Sequence, residues 1–305
     1  MSAYVARRLL WLIPVLLGVA VVTFALMHAV PGGPWDREKP LPPEVVANLN
    51  QRYGLDQPLW RQFADYLGGL SRGDLGVSYI QQDRPVASII ADGLQTSATL
   101  GMLALAAAVV VGVGLGVAAA VHKDGPLDFL SVLLATLGAS APSFVLGILL
   151  VVLFSVQLHW LPTGGWGSPR QAVMPVIALS ALPAAFIARV TRASMLEVLR
   201  QDYIMAARSR GLREWVLLYR HALRNALIPV LTVLGPVAAA LVTGSFIVET
   251  LFSIPGTGRL FVDGVFARDY GLIMGATLFY TAVVTVANLA VDLLYAVVDP
   301  RIRYV

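Results

Sequence analysis

The chain has 305 residues, 57% of them hydrophobic and only 13% charged, with a formal net charge of +4. Soluble domains carry about 25% charged residues, so this composition excludes an ordinary water-soluble globule and points to a chain embedded in a bilayer. It has no cysteine, which excludes a disulfide scaffold and any thiolate-ligated metal or iron–sulfur site.

Taken in order, apolar runs able to cross about 30 Å of hydrocarbon as helices fall at 9–30, 96–121, 128–158, 171–193, 226–249 and 272–298. The first follows Arg7 and Arg8 and reads "LLWLIPVLLGVAVVTFALMHAV". Its apolar core is too long for a secretory signal and lacks a small-residue cleavage pattern, so an uncleaved signal anchor is expected. In the 31–95 segment that follows, Leu59, Phe63, Tyr66, Leu67 and Leu70 share one helical face, fit either to receive a partner or to pack on the chain itself. Gly112 and Gly116 in the second span are spaced for close approach of another helix. The third span is longer than a crossing needs and contains Pro142, which predicts a kinked or tilted helix. Pro175, Pro183, Pro229 and Pro236 interrupt spans four and five. Such prolines can mark a wet cavity, but proline is commoner in membrane helices than in soluble ones, which favours plain helix packing. Glu249 near the end of span five and Asp292 inside span six are ionisable groups for which functional and structural roles both stand.

Six spans place both termini on one side, and lysine and arginine choose it. With the termini inside, the inner segments hold thirteen Lys and Arg against six acids, a net +7. The outer segments hold nine against eleven, a net −2, and Asp292 supplies the remaining −1. The termini are therefore expected in the cytosol. The organisation that follows is a cytosolic N-terminus and first helix (1–30), an extracytoplasmic segment (31–95), a transmembrane core (96–298) and a cytosolic tail (299–305).

The core contains one basic interruption, "ARSRGLREWVLLYRHALRN", inside a cytosolic loop at 194–225. Burying it would cost about 2.5–3.5 kcal/mol per arginine at the bilayer centre, so it lies outside the membrane. "SMLEVLRQDYIMAARSRG" reads as a helix stopped by Gly211, and a second helix begins near Arg213. On the second helix Trp215, Leu218, Tyr219, Ala222, Leu223 and Ala226 form an apolar stripe. Arg213, Arg220 and Arg224 fall within about 40° of one another on another face, with Leu217 among them. Binding of anionic headgroups or a bare role in topology would account for the basicity. The helix–glycine–helix layout instead suits a protein-docking element.

No catalytic, cofactor or metal site is expected. A phosphate-binding P-loop needs Gly-Lys-Ser/Thr, yet the only lysines, Lys39 and Lys123, precede Pro40 and Asp124. His28, His122, His159 and His221 show no metal-ligand spacing, and no serine lies in a Gly-x-Ser-x-Gly context. This leaves a membrane enzyme without support. An ion-coupled secondary transporter would call for internal repeats and mid-membrane ionisable residues, and neither is found.

"DYIMAARSRGL" followed by "RHALRNALIPVL" resembles the cytosolic EAA loop of binding-protein-dependent ABC importer permeases, in the form found in the oligopeptide and dipeptide branch. "HAVPGGP", "YGLDQPLWRQFADYLGGLSRGDLGVS", "GASAPSFVLGILL", "LHWLPTGGW", "GSFIVETLFSIPGTGRLFVDGVFARDY" and "VDLLYAVVDPRIRYV" extend the resemblance along nearly the whole chain, and it is nearest to the B-type oligopeptide permease subunits. Met205 departs from the pattern, standing where the general loop has glutamate.

The resemblance implies an all-α integral membrane protein of six helices with the type I ABC importer permease fold, in a bacterial cytoplasmic (inner) membrane. It implies a multi-pass subunit that forms half of the pathway of an ATP-driven peptide importer, with nickel or another small solute as the alternative cargo. It also implies partners: a homologous C-type permease subunit in a pseudo-symmetric pair, two cytosolic ATPases holding ATP and Mg, an extracytoplasmic substrate-binding protein and membrane lipid, with no nucleic acid. ATPase coupling falls by resemblance on Asp202, Tyr203, Ala206, Ala207, Arg208, Arg210, Gly211, Leu212, Arg213, His221 and Arg224. An extracytoplasmic gate falls on Glu249, Pro255, Gly256 and Gly258.

Overall fold

A computed structural model of the chain describes residues 2–36, 41–81, 83–242 and 244–298. The 299–305 tail and the Asp292 side chain lie outside the described residues. Among those described, the regular elements are helices, with one isolated bridge between Val77 and Pro85.

Helix α1 (Ser2–Ala29) carries the first apolar run and accommodates Pro14. Helix α2 (Pro43–Tyr53) starts on a proline, whose missing N–H is unneeded in a first turn, and stops at Gly54 with φ +67°. Helix α3 (Leu59–Leu70) starts after Pro58. Helix α4 (Val86–Val121) begins well before the expected span, and in its added turns Val86, Ile89 and Ile90 are buried against Leu272 and Ala276. Helix α5 (Pro126–Ser140) ends at Ala141, held extended (φ −88°, ψ 125°) as a residue before proline is. Helix α6 (Ser143–Leu150) then restarts and runs into wide i→i+5 turns over Val151–Gln157. The two halves are bent by 105°. The third span is thus two helices and not one kinked helix.

Helix α7 (Pro169–Val198) opens with proline at its first position and the Ser168 N–H donating to Gln171 Oε1 at 3.0 Å. It passes Pro175 and Pro183 unbroken. Then come α8 (Asp202–Ser209), α9 (Glu214–Val216), wide turns over Leu217–Ala222, α10 (Leu223–Ala226) and α11 (Ile228–Val242). Pro229 sits in the first turn of α11, just after a 53° bend. The chain closes with α12 (Phe246–Leu251), α13 (Thr257–Phe266) and α14 (Tyr270–Val298). Among the described residues four helices are long and apolar enough to cross a membrane alone, and up to six spans are counted when each bent pair is taken as one.

Two compact units are formed. One combines Met1–Ser97 with Pro255–Leu289, and the other is built on Ala98–Ile254. In the first, Ala20 and Met27 of α1 meet Ile273, Met274 and Leu278 of α14, with Phe63, Tyr66 and Leu70 of α3 packed against them. Of the five residues expected to share one face of α3, these three pack on the core, whereas Leu59 is exposed. Buried Asp269 pins residues 78–80 to the start of α14. It accepts from the Ser78 hydroxyl, from the Tyr79 N–H at 3.0 Å and from the Leu272 N–H at 3.2 Å.

In the second unit α4 and α7 approach at backbone distance. A Cβ on Gly112 would lie 2.7 Å from the Ala184 carbonyl, and one on Gly116 would lie 2.5 Å from Thr191 Cβ. Lipid tails are as apolar as leucine, so helices in a bilayer associate through such close packing and not through a hydrophobic drive. The close approach read from the glycine spacing is what the structure has.

Candidate functional site

The basic segment folds as an elbow. The helix expected over Ser194–Gly211 is divided: its front belongs to α7, residues 199–201 turn, and α8 restarts with Asp202 in the first turn, where a helix favours negative charge. Gly211 stops α8 with φ +79°, a conformation glycine adopts without a Cβ penalty. Its N–H donates to the Arg208 carbonyl at 3.0 Å and the Leu212 N–H to the Ala207 carbonyl at 3.4 Å, which is the Schellman pattern. Arg208 then bridges the turn, Nε donating to Glu214 Oε1 at 2.8 Å and Nη2 to Oε2 at 3.3 Å. Asn225 Nδ2 donates to Tyr203 Oη at 2.7 Å, closing the open side.

The inner face of the elbow is a core in which Ile204, Leu217, Ala222 and Ala226 pack with Met195 and Ala120. Its outer face exposes Tyr203, Met205, Leu212, Trp215 and Tyr219. This corrects the expected stripe. Trp215 and Tyr219 are 62% and 61% exposed, whereas Leu217, placed by sequence among the arginines, is 0% exposed. The wide turns over Leu217–Ala222 advance the chain by less than 100° per residue, so a regular helical wheel misassigns the faces.

Of the residues expected to couple, Asp202, Tyr203, Ala206, Arg208, Arg210, Gly211, Leu212, Arg213 and Arg224 are exposed on this elbow, and Ala207 and His221 are half-buried. Met205, Trp215 and Tyr219 complete its exposed apolar surface. Met205 carried no positive signal in the sequence beyond its departure from a glutamate.

The expected gate residues divide between the units: Glu249 belongs to the second, Pro255, Gly256 and Gly258 to the first. Glu249 is fully buried in α12, whose first turn is capped by Ser245 Oγ accepting from the Val248 N–H at 3.3 Å. In the first unit the Thr257 N–H donates to Ser97 Oγ at 2.9 Å, and a Cβ on Gly93 would lie 2.9 Å from Thr257 N. The 255–258 turn therefore lies backbone-close to α4.

The 31–95 segment gathers aromatic rings. Trp35 Nε1 donates to Asn50 Oδ1 at 2.8 Å, and Tyr53 lies 4.6 Å from Tyr79 between ring centroids. A cavity of about 570 Å³ opens beside them, lined among others by His28, Trp35, Asn50, Gln62 and Tyr270. Burial, and then the hydrogen bond to Asp83, push the Tyr53 hydroxyl up to about 12. Burial and the charge of Asp269 take Tyr79 to about 12 as well. Among the described residues no group of histidine, aspartate and glutamate suits a metal ion.

Two family models cover this chain almost end to end. The model for the binding-protein-dependent transport system inner membrane component matches residues 112–304, and that for the N-terminal part of such components matches residues 1–101. The chain belongs to this family. The permease is 41% identical over 306 residues to the oligopeptide transport system permease protein OppB of Haemophilus influenzae, with all of both chains covered. It is 43% identical over 303 residues to the dipeptide transport system permease protein DppB of Lactococcus lactis subsp. cremoris, covering 99% of this chain and 100% of that one. Among solved structures, an inward-facing form of the MetNI methionine ABC transporter matches with TM-score 0.57 at 18% identity, over 70% of this chain and 97% of that one. A crystal structure of an amino acid ABC transporter with histidines matches with TM-score 0.53 at 19% identity, over 71% and 95%. The permease thus has the type I ABC importer permease fold in a multi-pass membrane chain, and it is a transport component, not a catalytic one.

Proposed function

We propose that this permease forms half of the pathway of an ATP-driven importer of oligopeptides or dipeptides, and that the 194–225 elbow is where ATP hydrolysis in a partner moves it. It pairs with a homologous C-type permease subunit, takes energy from two ATPases that bind ATP and Mg, and receives cargo from an extracytoplasmic binding protein. Its termini and elbow face the cytosol of a bacterial cell, as the charge distribution favours. Residues 31–95 and the 255–258 turn then face outward, where Pro255, Gly256, Gly258 and Glu249 serve the outer gate.

The observation that carries this reading is the elbow itself. A glycine-capped turn bridged by Arg208 and Glu214 presents Tyr203, Met205, Trp215 and Tyr219 to solvent, although each is large and apolar. Exposed apolar patches of this kind mark contact surfaces, and buried aromatic anchors carry most of an interface's energy. Around them Arg210, Arg213 and Arg224 offer charge to acidic groups on a partner. The other end of the elbow continues into α11 through the 53° bend, a route along which a push on Trp215 reaches a membrane helix.

The test is ATP-driven peptide uptake by the assembled transporter in proteoliposomes. The double variant Trp215→Ala, Tyr219→Ala should weaken ATPase association by roughly 30-fold, as loss of about 2 kcal/mol at an interface anchor does. Unchanged association together with full uptake would overturn the coupling assignment. ATP turnover by the purified chain alone would overturn the need for an ATPase partner.

A further inference from the structure

A second cavity, of about 440 Å³, lies in the first unit between the last turns of α1 and the first turns of α14, flanked by α13. Leu26, Met27, Val30, Phe261, Val265 and Ile273 make its wall apolar, and among the described residues lining it Arg268 is the charged one. From Thr23 to Val30 the α1 wall extends about 10 Å at 1.5 Å per residue, most of one bilayer leaflet's hydrocarbon depth. The cavity volume lies within the roughly 300–1,000 Å³ of ordinary ligand sites.

Arg268 is under-used by its own chain. Its Nη1 stands 3.6 Å from Asp36 Oδ2, an ion pair too long for a hydrogen bond, and Nη1 has no hydrogen-bond partner. A buried N–H without an acceptor is uncommon, and guanidinium donors fit the oxygens of a phosphate two at a time. The surroundings fix the depth. Leu26 is 62% exposed on a membrane-spanning helix, and Phe266, two residues before Arg268, is 84% exposed. An apolar slot open to acyl chains and topped by a cation fits one kind of molecule.

We propose that this slot holds a single phospholipid, one acyl chain lying along Leu26 and Ile273 and the phosphate drawing Arg268 away from its long contact with Asp36. The lipid is then a structural part of the α1–α14 pair, with its headgroup at the level of the Arg268 loop.

Native mass spectrometry of the assembled transporter, purified with phosphatidylglycerol, tests this. One lipid per copy of this chain should survive detergent removal. Arg268→Ala should reduce its retention about tenfold or more, the effect of losing a charged hydrogen bond of about 1.5–3 kcal/mol, while Arg268→Lys retains part of it. Leu26→Trp, which fills the slot from an exposed position and leaves Arg268 and Asp36 in place, should also expel the lipid and decides the matter if Arg268→Ala fails to assemble. Equal retention in all these variants would overturn the proposal. So would a photo-crosslinker at Val30 that captured only a neighbouring protein chain and no lipid.

Discussion

Arg192 holds Asp128 with two parallel hydrogen bonds, Nε to Oδ1 and Nη2 to Oδ2, both 2.7 Å long. Asp128 stands in the first turn of α5 and also accepts from the Asp124 N–H at 3.0 Å, so one nearly buried carboxylate both holds the turn before α5 and ties α5 to α7. A carboxylate shielded from water needs its countercharge, and removing Arg192, whose side chain is 30% exposed, leaves Asp128 uncompensated.

Asp128→Asn should therefore lower the stability of the assembled protein, whereas Asp128→Leu combined with Arg192→Met should recover much of the loss. Thermal inactivation midpoints of the three forms give the comparison. A single variant as stable as the unaltered protein would show that the pair is dispensable.

Gly211 separates a strain effect from a hinge effect. A Cβ there meets nothing within 4 Å, so Gly211→Ala carries only the left-handed penalty of about 1–2 kcal/mol. Gly211→Pro cannot adopt φ +79° and loses the N–H bonded to Arg208. Uptake should stay within a few-fold of normal in the alanine variant and be lost in the proline variant, with membrane insertion normal in both. Normal uptake by the proline variant would remove the elbow's role.

Gly116→Val and Gly114→Val make a matched pair on one helix. The first drives a side chain into Thr191 and the Ala188 carbonyl, and the second points into open space. Only Gly116→Val should destabilise, by at least about 1–3 kcal/mol, measured as loss of the intact complex on heating. Equal effects would mean that the close approach of α4 and α7 is not what matters.

Alkaline titration should loosen the aromatic cluster of the 31–95 segment. Tyr53 and Tyr79 are held near 12 against an ordinary value of about 10, so the fold prefers the protonated phenols. Their contribution is complete below about pH 10 and declines as the pH rises from 10 to 12. Tyrosinate absorbance should show a component near pH 12 that shrinks in Tyr53→Phe. A full tyrosine titration near pH 10 in the folded protein would contradict it.

The membrane crossings, the stop at Gly211 and the contact at Gly112 and Gly116 were legible because each follows from local chemistry: apolar run length, a glycine cap, a small-residue spacing. The break at Pro142 was only half legible. Proline signals a bend, but whether the chain resumes at a shallow angle or at 105° is decided by packing. The faces of the second elbow helix were misread because an i→i+5 turn leaves no plain mark in a hydrophobic pattern. The grip of Asp269 on Ser78 joins residues 191 positions apart and cannot be inferred from spacing.

Gly112 and Gly116 also decide where this permease can bend. Two helices in contact main chain to main chain cannot slide by a fraction of a turn without collision, so α4 and α7 travel as one plank. The chain's breaks beside that plank lie at Ala141 before Pro142 and at Leu227 before α11. Stiffening either joint should slow transport even where no residue of the route for cargo is touched.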